Sequence, residues 1–320
     1  MTLLYGRRIS LVVAGDDGHG LDLSELHIMF GIRMYEKESP GQADIRIFNM
    51  KAETALKMKK EYTQVILQAG YGDLFGKIFR GTIVQSIRGR TNPVDTYVDV
   101  IAADGDQALN NAVVNTTVAA GATPSVIHGA VCTTMDPHGV QVGYTDPLVG
   151  PALPRGRALY GMARDHLRDL AQATDTTWNI TDGKVQFVSN KGYLPGEAVV
   201  LTAATGLIGL PQQTMDGIMV RCLLNPLLKI GGRVEIKNSS ITQLRLPVFY
   251  QAGADGKPVP NPLEGLIPKL DSVGIYRILA IDYSGDTRGQ NWYCDLACMA
   301  LDGTVPIAQA QRNRTLPPGT

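Results

Sequence analysis

Little in this chain points to a cross-linked, strongly charged or membrane-spanning molecule. Its 320 residues include only four cysteines, Cys132, Cys222, Cys294 and Cys298, too few and too scattered for a disulfide framework. They are expected as free, buried thiols that hold no metal. The 30 basic and 30 acidic side chains cancel to a net charge of +0. Such a chain carries no electrostatic footprint for wrapping nucleic acid or for lying on an anionic membrane. No run approaches the roughly 18 uninterrupted apolar residues of a membrane span, so no membrane anchor is expected. Residues 1–8 contain no apolar core of signal-peptide length, and their charges follow the apolar residues. The expectation is synthesis in a reducing cytoplasm.

Patterns that carry chemistry are also missing. There is no Gly-x-Ser-x-Gly, no His-Glu-x-x-His and no Gly-x-x-x-x-Gly-Lys-Ser/Thr. Gly70, Gly72 and Gly76 look like a phosphate-cradling loop, but such a loop needs a helix N-terminus behind it, and a strand follows here. Cys294 and Cys298 have a spacing open to metal ligation, yet with Leu296 they share one face of a strand and read more simply as core. The five histidines, His19, His27, His128, His138 and His166, are dispersed. Nothing in the sequence orients His138 toward Cys132 as a base toward a nucleophile. Asp16-Asp17-Gly18 lacks the alternating oxygens of a calcium loop. Lys57, Lys59 and Lys60 read as the wet face of a helix, and Trp178 as core. No catalytic, cofactor-binding or metal residue is assigned, and no cofactor is expected.

What is present is a β-rich pattern. Hydrophobic residues make up 44% of the chain and charged residues 19%, which fits a folded protein of roughly two or three domains. Glycine (35) and proline (18) run above ordinary usage, as many short strands joined by tight turns require. Segments 8–13, 43–48, 65–69, 77–84 and 96–101 read as strands. Asn49 is expected to cap a short helix whose inner stripe is Ala52, Ala55 and Leu56. From Asp104 the pattern becomes α/β. A helix is expected over 106–114, another from Thr123-Pro124, a loop over 138–157, and an amphipathic helix carrying Leu159, Ala163, Leu167 and Leu170. A hairpin turning at Asp182-Gly183 follows. From Val199 strands return, at 217–223, 233–237, 275–283 and 292–300. Segment 241–274 is an extended hairpin or a loop, and 304–320 an extended tail.

The most informative feature is an internal echo. Ile78-Phe79-Arg80 is matched by Ile275-Tyr276-Arg277 at an offset of 197, and Tyr97-Val98-Asp99-Val100 by Tyr293-Cys294-Asp295-Leu296 at 196. Asp104-Gly105 and Asp302-Gly303 close both units. The echo points to a duplicated β unit split by an α/β segment, with Phe79, Tyr97, Tyr276 and Tyr293 in the cores of the two copies. The fold class read is mainly β with an α/β insertion (α+β). The boundaries are 1–105 for the first β unit, 106–198 for the insertion, 199–303 for the second unit and 304–320 for the tail.

In their order and spacing several stretches resemble the phage tail baseplate hub family, of the late-control protein D-like kind. They are Gln68-Ala69-Gly70-Tyr71-Gly72, Ile78 to Ile83, Asp95 to Gly105, Gly206 to Pro211, Cys222 to Pro226, Lys229 to Val234, Gly274 to Arg277 and Gly285 to Trp292. The resemblance covers about residues 5–303. It implies two tandem tail-tube-like β-barrels interrupted by a small α/β domain. It also implies a homotrimer whose six barrels form a pseudo-sixfold ring joining the tail tube to a threefold spike. Its partners would be the tail spike protein, tail tube or distal tail proteins and the tape-measure protein. DNA would pass through without sequence-specific binding, in a virion assembled in a bacterial host. No lysozyme-like or peptidase-like extension is visible. Two other readings stay open, a hub of a related contractile injection machine and a tail-associated cell-wall hydrolase.

Overall fold

The computed structural model describes residues 5–15, 20–60, 62–214, 217–243 and 274–300. The 304–320 tail, most of 241–274, Asp302-Gly303, Asp16-Asp17-Gly18 and His19 lie outside the described residues.

Seven strands and a helix come first: β1 (Arg7–Ala14), β2 (Gly20–Asp22), β3 (Ile28–Tyr35), β4 (Gln42–Phe48), α1 (Ala52–Lys60), β5 (Gln64–Tyr71), β6 (Leu74–Arg90) and β7 (Thr96–Ala103). The α/β segment holds α2 (Asp106–Asn111), β8 (Val113–Val118), α3 (Pro124–Cys132), β9 (Gln141–Thr145), β10 (Arg157–Met162), α4 (Ala163–Ala173), β11 (Thr176–Thr181) and β12 (Lys184–Ser189). The chain then forms β13 (Val199–Leu201), β14 (Leu207–Thr214), β15 (Gly217–Leu223), β16 (Arg233–Ile236), β17 (Ile275–Asp286) and β18 (Trp292–Ala300).

Alternation explains the strands. In β3 the side chains of Ile28, Phe30, Ile32 and Met34 are buried, and in β18 every second residue from Trp292 to Ala300 is buried. The protein is mainly β with an α/β insertion. Thirteen strands form one sheet, in the order β14-β15-β18-β17-β3-β4-β7-β6-β5-β1-β2, with β16 on β17 and β13 on β16. A single apolar core runs from Leu11 to Ala102 and on from Leu201 to Ala300. The insertion packs a second core, from Ala108 to Phe187, in which Leu167 and Leu170 of α4 meet Leu159, Trp178 and Phe187. The parallel pair β9–β12, the antiparallel pair β8–β10 and the hairpin β11–β12 surround it.

Local readings needed correction where a polar partner or a neighbouring strand outweighed spacing. Asn49 does not cap α1. It sits at φ 54, and its Oδ1 accepts the Thr96 backbone N–H at 3.0 Å, so it pins β7 instead. The inner face of α1 is Ala55 and Met58, while Ala52 and Leu56 are exposed. α2 ends at Asn111, and Val113 and Val114 begin a strand. Leu159 belongs to β10 rather than to α4, and the segment read as a loop contains β9. Thr123-Pro124 does open α3, with Pro124 at the first turn. The Asp182-Gly183 hairpin is also present, both residues at positive φ (58 and 70), as a two-residue type I′ turn needs.

Candidate functional site

The two β regions repeat one arrangement. The first runs β3-β4-β7-β6-β5-β1 and the second β14-β15-β18-β17-β16-β13. The last strand pairs antiparallel in the first (β1 on β5) and parallel in the second (β13 on β16). Register makes the equivalence residue by residue. Arg46 lies opposite Asp99 across β4–β7, and Arg221 opposite Asp295 across β15–β18. Both pairs are bidentate, at 2.7 and 2.8 Å in the first and 2.6 and 2.9 Å in the second. Each guanidinium also covers a tyrosine, Arg46 over Tyr97 at 4.2 Å and Arg221 over Tyr293 at 5.9 Å.

The hairpins β6–β7 and β17–β18 share a β-bulge at the same place. In the first the register shifts between Ile83 and Gln85, opposite Ala102 and Ile101. In the second it shifts between Ile278 and Ala280, opposite Cys298 and Ala297. Bulges re-aim a strand, so a shared bulge gives both hairpins the same bend.

This register corrects the echo. β7 maps onto β18 at offset 196, as Tyr97 and Tyr293 indicated, but β6 maps onto β17 at 195, since Ile83 matches Ile278 and Gln85 matches Ala280. The counterpart of Tyr276 is therefore Gly81, and that of Phe79 is Gly274. The echo chose equivalent strands two residues out of step. Phe79 and Tyr276 are buried, at 2% and 0% exposure. Tyr97 and Tyr293 are half-buried on the opposite face of their strands, beneath the arginines, and are not core residues.

The repeats differ in what lies along the edge of the hairpin. The first three residues of β17 pair with β16, and the stretch 280–286 pairs with β3, which hydrogen-bonds the two repeats into one sheet. The approach is close, since a Cβ on Gly285 would overlap the Phe30 ring. β6 pairs with β5 only as far as Thr82. Beyond the bulge, residues 84–90 have β7 on one side and, among the described residues, no strand on the other.

The insertion is clamped between the repeats at two points. Arg277 of β17 is buried and forms a short ion pair with buried Glu36, just after β3. Its other donors reach the Ser189 and Gly192 carbonyls at 2.5 and 2.7 Å and Thr177 Oγ1 at 3.1 Å. Burial pushes the Arg277 guanidinium down to about 10, so it remains charged at neutral pH. At the second point the tip of the β11–β12 hairpin meets both repeats. Gly183 N–H donates to Asp104 Oδ1 at 3.0 Å, and Asp182 lies 3.3 Å from Lys77 Nζ and 3.8 Å from Lys229 Nζ. Burial pushes the Asp104 carboxyl up to about 7, against the pull of the Gly183 N–H. Gly105 lets the chain turn there at φ 72, where a Cβ would come within 2.7 Å of Ile180.

The other residues weighed in the sequence are dispersed. All four cysteines are free and buried. Burial pushes Cys132 up to about 12 and raises Cys294 and Cys298 as well, which keeps them as thiols rather than nucleophilic thiolates. Cys132 contacts His128 at 3.4 Å, not His138, and burial lowers the pKa of that imidazole. His27 pairs with Asp286 at 2.8 Å and stacks on Phe48. Gly70 and Gly72 lie at the tight β5–β6 hairpin. Trp178 is buried and stacks on Phe187. Among the described residues, no group of three or more His, Cys, Asp or Glu side chains is placed to hold a metal ion. No helix among them is long and apolar enough to cross a membrane. A groove of about 730 Å³ between Leu74, Val200, Leu227, Lys229 and Arg233 is mostly apolar and offers no convergent acid–base pair.

Comparison with protein-family models and with curated proteins yields no match. Solved structures do match. A 43 kDa tail protein of prophage MuSo2 from Shewanella oneidensis is 10% identical, with a TM-score of 0.57 over 95% of this chain and 100% of that one. A tail protein from Neisseria meningitidis MC58 is 9% identical, with a TM-score of 0.55 over 94% and 100%. The c3393 protein of E. coli is described as a type VI secretion component similar in structure to the T4 tail proteins gp27 and gp5. It is 12% identical, with a TM-score of 0.53 over 94% and 78%. At these identities the likeness is one of fold, and it spans nearly the whole chain.

Proposed function

We propose that this chain is a structural hub of a phage tail baseplate, three copies of which form a pseudo-sixfold ring between the tail tube and a threefold spike. The observation that carries the reading is the repeat: two units with one strand order, one bulge and one Arg–Asp–Tyr cluster, already hydrogen-bonded side by side through β17 and β3. A chain with two such units presents sixfold-like contacts with threefold symmetry. The fold shared with two tail proteins, one of them from a prophage, supports the tail setting.

The domains proposed are 1–105 and 199–303 for tube-like β-barrels, 106–198 for the inserted α/β domain and 304–320 for a tail reaching neighbouring proteins. Its partners would be a second and third copy, the spike, the tube or distal tail proteins and the tape-measure protein. DNA would pass without sequence-specific binding, since a net charge of +0 sets up no strong attraction along a channel. The role is to hold geometry; the groups described form no acid–base or nucleophile constellation, and no catalysis is proposed. The deciding measurement is mass photometry of the chain co-expressed with its spike, where a threefold species is expected. A stable monomer or dimer in that mixture would overturn the reading.

One observation favours a second reading. The c3393 protein has the same fold, and its description places it in a type VI secretion system. The same ring would then be the hub of a contractile injection machine, and neighbouring capsid and terminase genes separate the two.

A further inference from the structure

Three cysteines point into the core of the second repeat, and strand register sorts them. Cys222 of β15 lies directly opposite Cys294 of β18, and the two thiols are hydrogen-bonding neighbours. Cys298 shares their face but lies opposite Ile218, two same-face pairs further along the ladder. Diagonal neighbours only one such pair apart are already about 7–8 Å from each other, beyond the reach of a disulfide. Cys132 belongs to the separate core of the insertion. Cys222 and Cys294 are therefore the pair within bonding reach. Leu224 N–H donates to the Trp292 carbonyl at 3.1 Å, so by alternation Cys222 and Cys294 are also a hydrogen-bonded pair of the ladder. Such pairs hold their Cα atoms about 5.5 Å apart, inside the disulfide range. Their Cβ atoms stand about 5 Å apart, wider than the roughly 4 Å of a relaxed bridge. A bond here is strained, and strained disulfides are the readily reduced ones.

The first repeat fills the same place without sulfur. The counterparts of Cys222 and Cys294 are Ile47 and Val98, opposite each other across β4–β7 and also buried. Packing at this point of the repeat does not call for cysteine. A polar contact does prepare one of the two thiols for reaction. The Asn225 N–H donates to Cys294 Sγ at 3.5 Å, and a donor on sulfur favours the thiolate, the reacting form. Burial acts in the opposite direction and raises the Cys294 pKa, so reaction is slow. Asn225 also lines the groove of about 730 Å³, which brings solvent within one residue of the Cys294 sulfur. A path of this kind suits an oxidant no larger than a few atoms.

We propose that Cys222 and Cys294 are the site of a reversible disulfide, formed by hydrogen peroxide, that staples β15 to β18. The Cys294 thiolate attacks one peroxide oxygen, the O–O bond breaks, and the departing hydroxide takes up the proton that the thiol lost, leaving as water. Cys294 is then a sulfenic acid. The Cys222 sulfur attacks it, the S–S bond forms and the S–O bond breaks, and the hydroxyl leaves with the Cys222 proton as a second water. Two thiols are oxidised and one peroxide is reduced to two waters. Cys222 acts as the resolving thiol, and its position directly opposite Cys294 is what stops the oxidation at the reversible stage. A dithiol reductant reverses the bond by exchange.

The test treats the reduced full-length chain with excess hydrogen peroxide, removes the peroxide with catalase and blocks the remaining thiols with N-ethylmaleimide in denaturant. Mass spectrometry of the unreduced digest is expected to show the peptides carrying Cys222 and Cys294 joined, two hydrogens lighter than their sum. The joined species should disappear after dithiothreitol, and Cys132 and Cys298 should be recovered blocked. Recovery of Cys222 and Cys294 as blocked thiols, a link to any other cysteine, or a link that dithiothreitol does not release would each overturn the proposal. Cys222→Ile serves as a second variant, since it gives this position the residue of the first repeat, and its circular dichroism should match that of the parent. Without the resolving thiol, Cys294 is expected to pass to sulfinic acid in the time the parent forms its link. Cys222→Ala gives the same readout if the larger side chain disturbs the fold. A Cys294 left unoxidised in these variants would overturn the assignment of Cys294 as the thiol that peroxide attacks.

Discussion

The hairpins β6–β7 and β17–β18 have one backbone and two surroundings. Both bulge at the same register and both carry an Asp paired to an Arg over a Tyr. Beyond the bulge, β17 presents Ile281, Tyr283 and Gly285, all buried, whereas the matching residues of β6 are Ser86, Arg88 and Arg90, half-buried or exposed. The backbone path is thus held by strand pairing and the bulge, while side chains follow whatever each face meets. A repeat can persist in hydrogen bonding after it has faded from sequence.

The largest contrast is expected at Arg277, whose counterpart in the first repeat is Thr82. Arg277→Ala strands Glu36 and two carbonyls in a buried site and should cost about 3–5 kcal/mol. Thr82→Ala, at a half-buried position with no such cluster, should cost under about 1 kcal/mol. Urea unfolding of both variants measures the difference, and equal losses would break the comparison.

The next contrast is one of pH. Asp104 corresponds to Ala300, so only the first repeat has a buried carboxyl where the insertion begins. Its folded pKa, about 7, lies above the ordinary value of 3.8. The folded state therefore takes up a proton between these values that the unfolded state does not. The resulting stabilisation is full below about pH 4 and is lost as pH rises through 7. Its size is on the order of 4 kcal/mol. Asp104→Asn keeps an acceptor for Gly183 and should abolish that slope. A slope surviving in the variant would assign it to another group.

Much of the strand pattern was legible because the core side is strictly apolar, as in Ile45 and Ile47 of β4 or Cys294 to Cys298 of β18. β3 was harder to read, since Met29 and Tyr35 place apolar residues on its outer face and blur the alternation. β8 and β9 are short and begin beside helix-like or Gly/Pro-rich sequence. The echo located the equivalent hairpins through Tyr97 and Tyr293, but aligned Phe79 with Tyr276 because an aromatic followed by arginine is a short coincidence. A bulge leaves no mark in composition, so only pairing could set the register. The clamp at Arg277 and Glu36 was also invisible, since its members are separated by 241 positions.

Smaller contrasts refine the comparison. Tyr283 donates its buried hydroxyl to the Leu228 carbonyl at 2.8 Å, whereas its counterpart, Arg88, is exposed. Tyr283→Phe should cost about 0.5–1.5 kcal/mol, and Arg88→Ala, measured on the unassociated chain, within about 0.5 kcal/mol of nothing. Smallest of all, Asp99→Asn and Asp295→Asn should each cost ~0.2–1 kcal/mol. Asp99 should be the larger, because Arg46 is 42% exposed and Arg221 57%. Thermal melts of the matched pair decide the order, and a reversed order would show that exposure does not set the strength of the two clusters.

The seam between the repeats has a mechanical consequence. From Ala280 to Asp286, β17 runs antiparallel to β3, and no flexible linker stands between the two units at that seam. A pull directed along these strands loads all the hydrogen bonds of the seam together, so they must fail collectively. A peeling force would open them one pair at a time. The seam is stiff under tension along its strands and weak only at its ends, and those ends are where the Arg277–Glu36 clamp and the His27–Asp286 contact sit. Each closes off a point at which peeling would start.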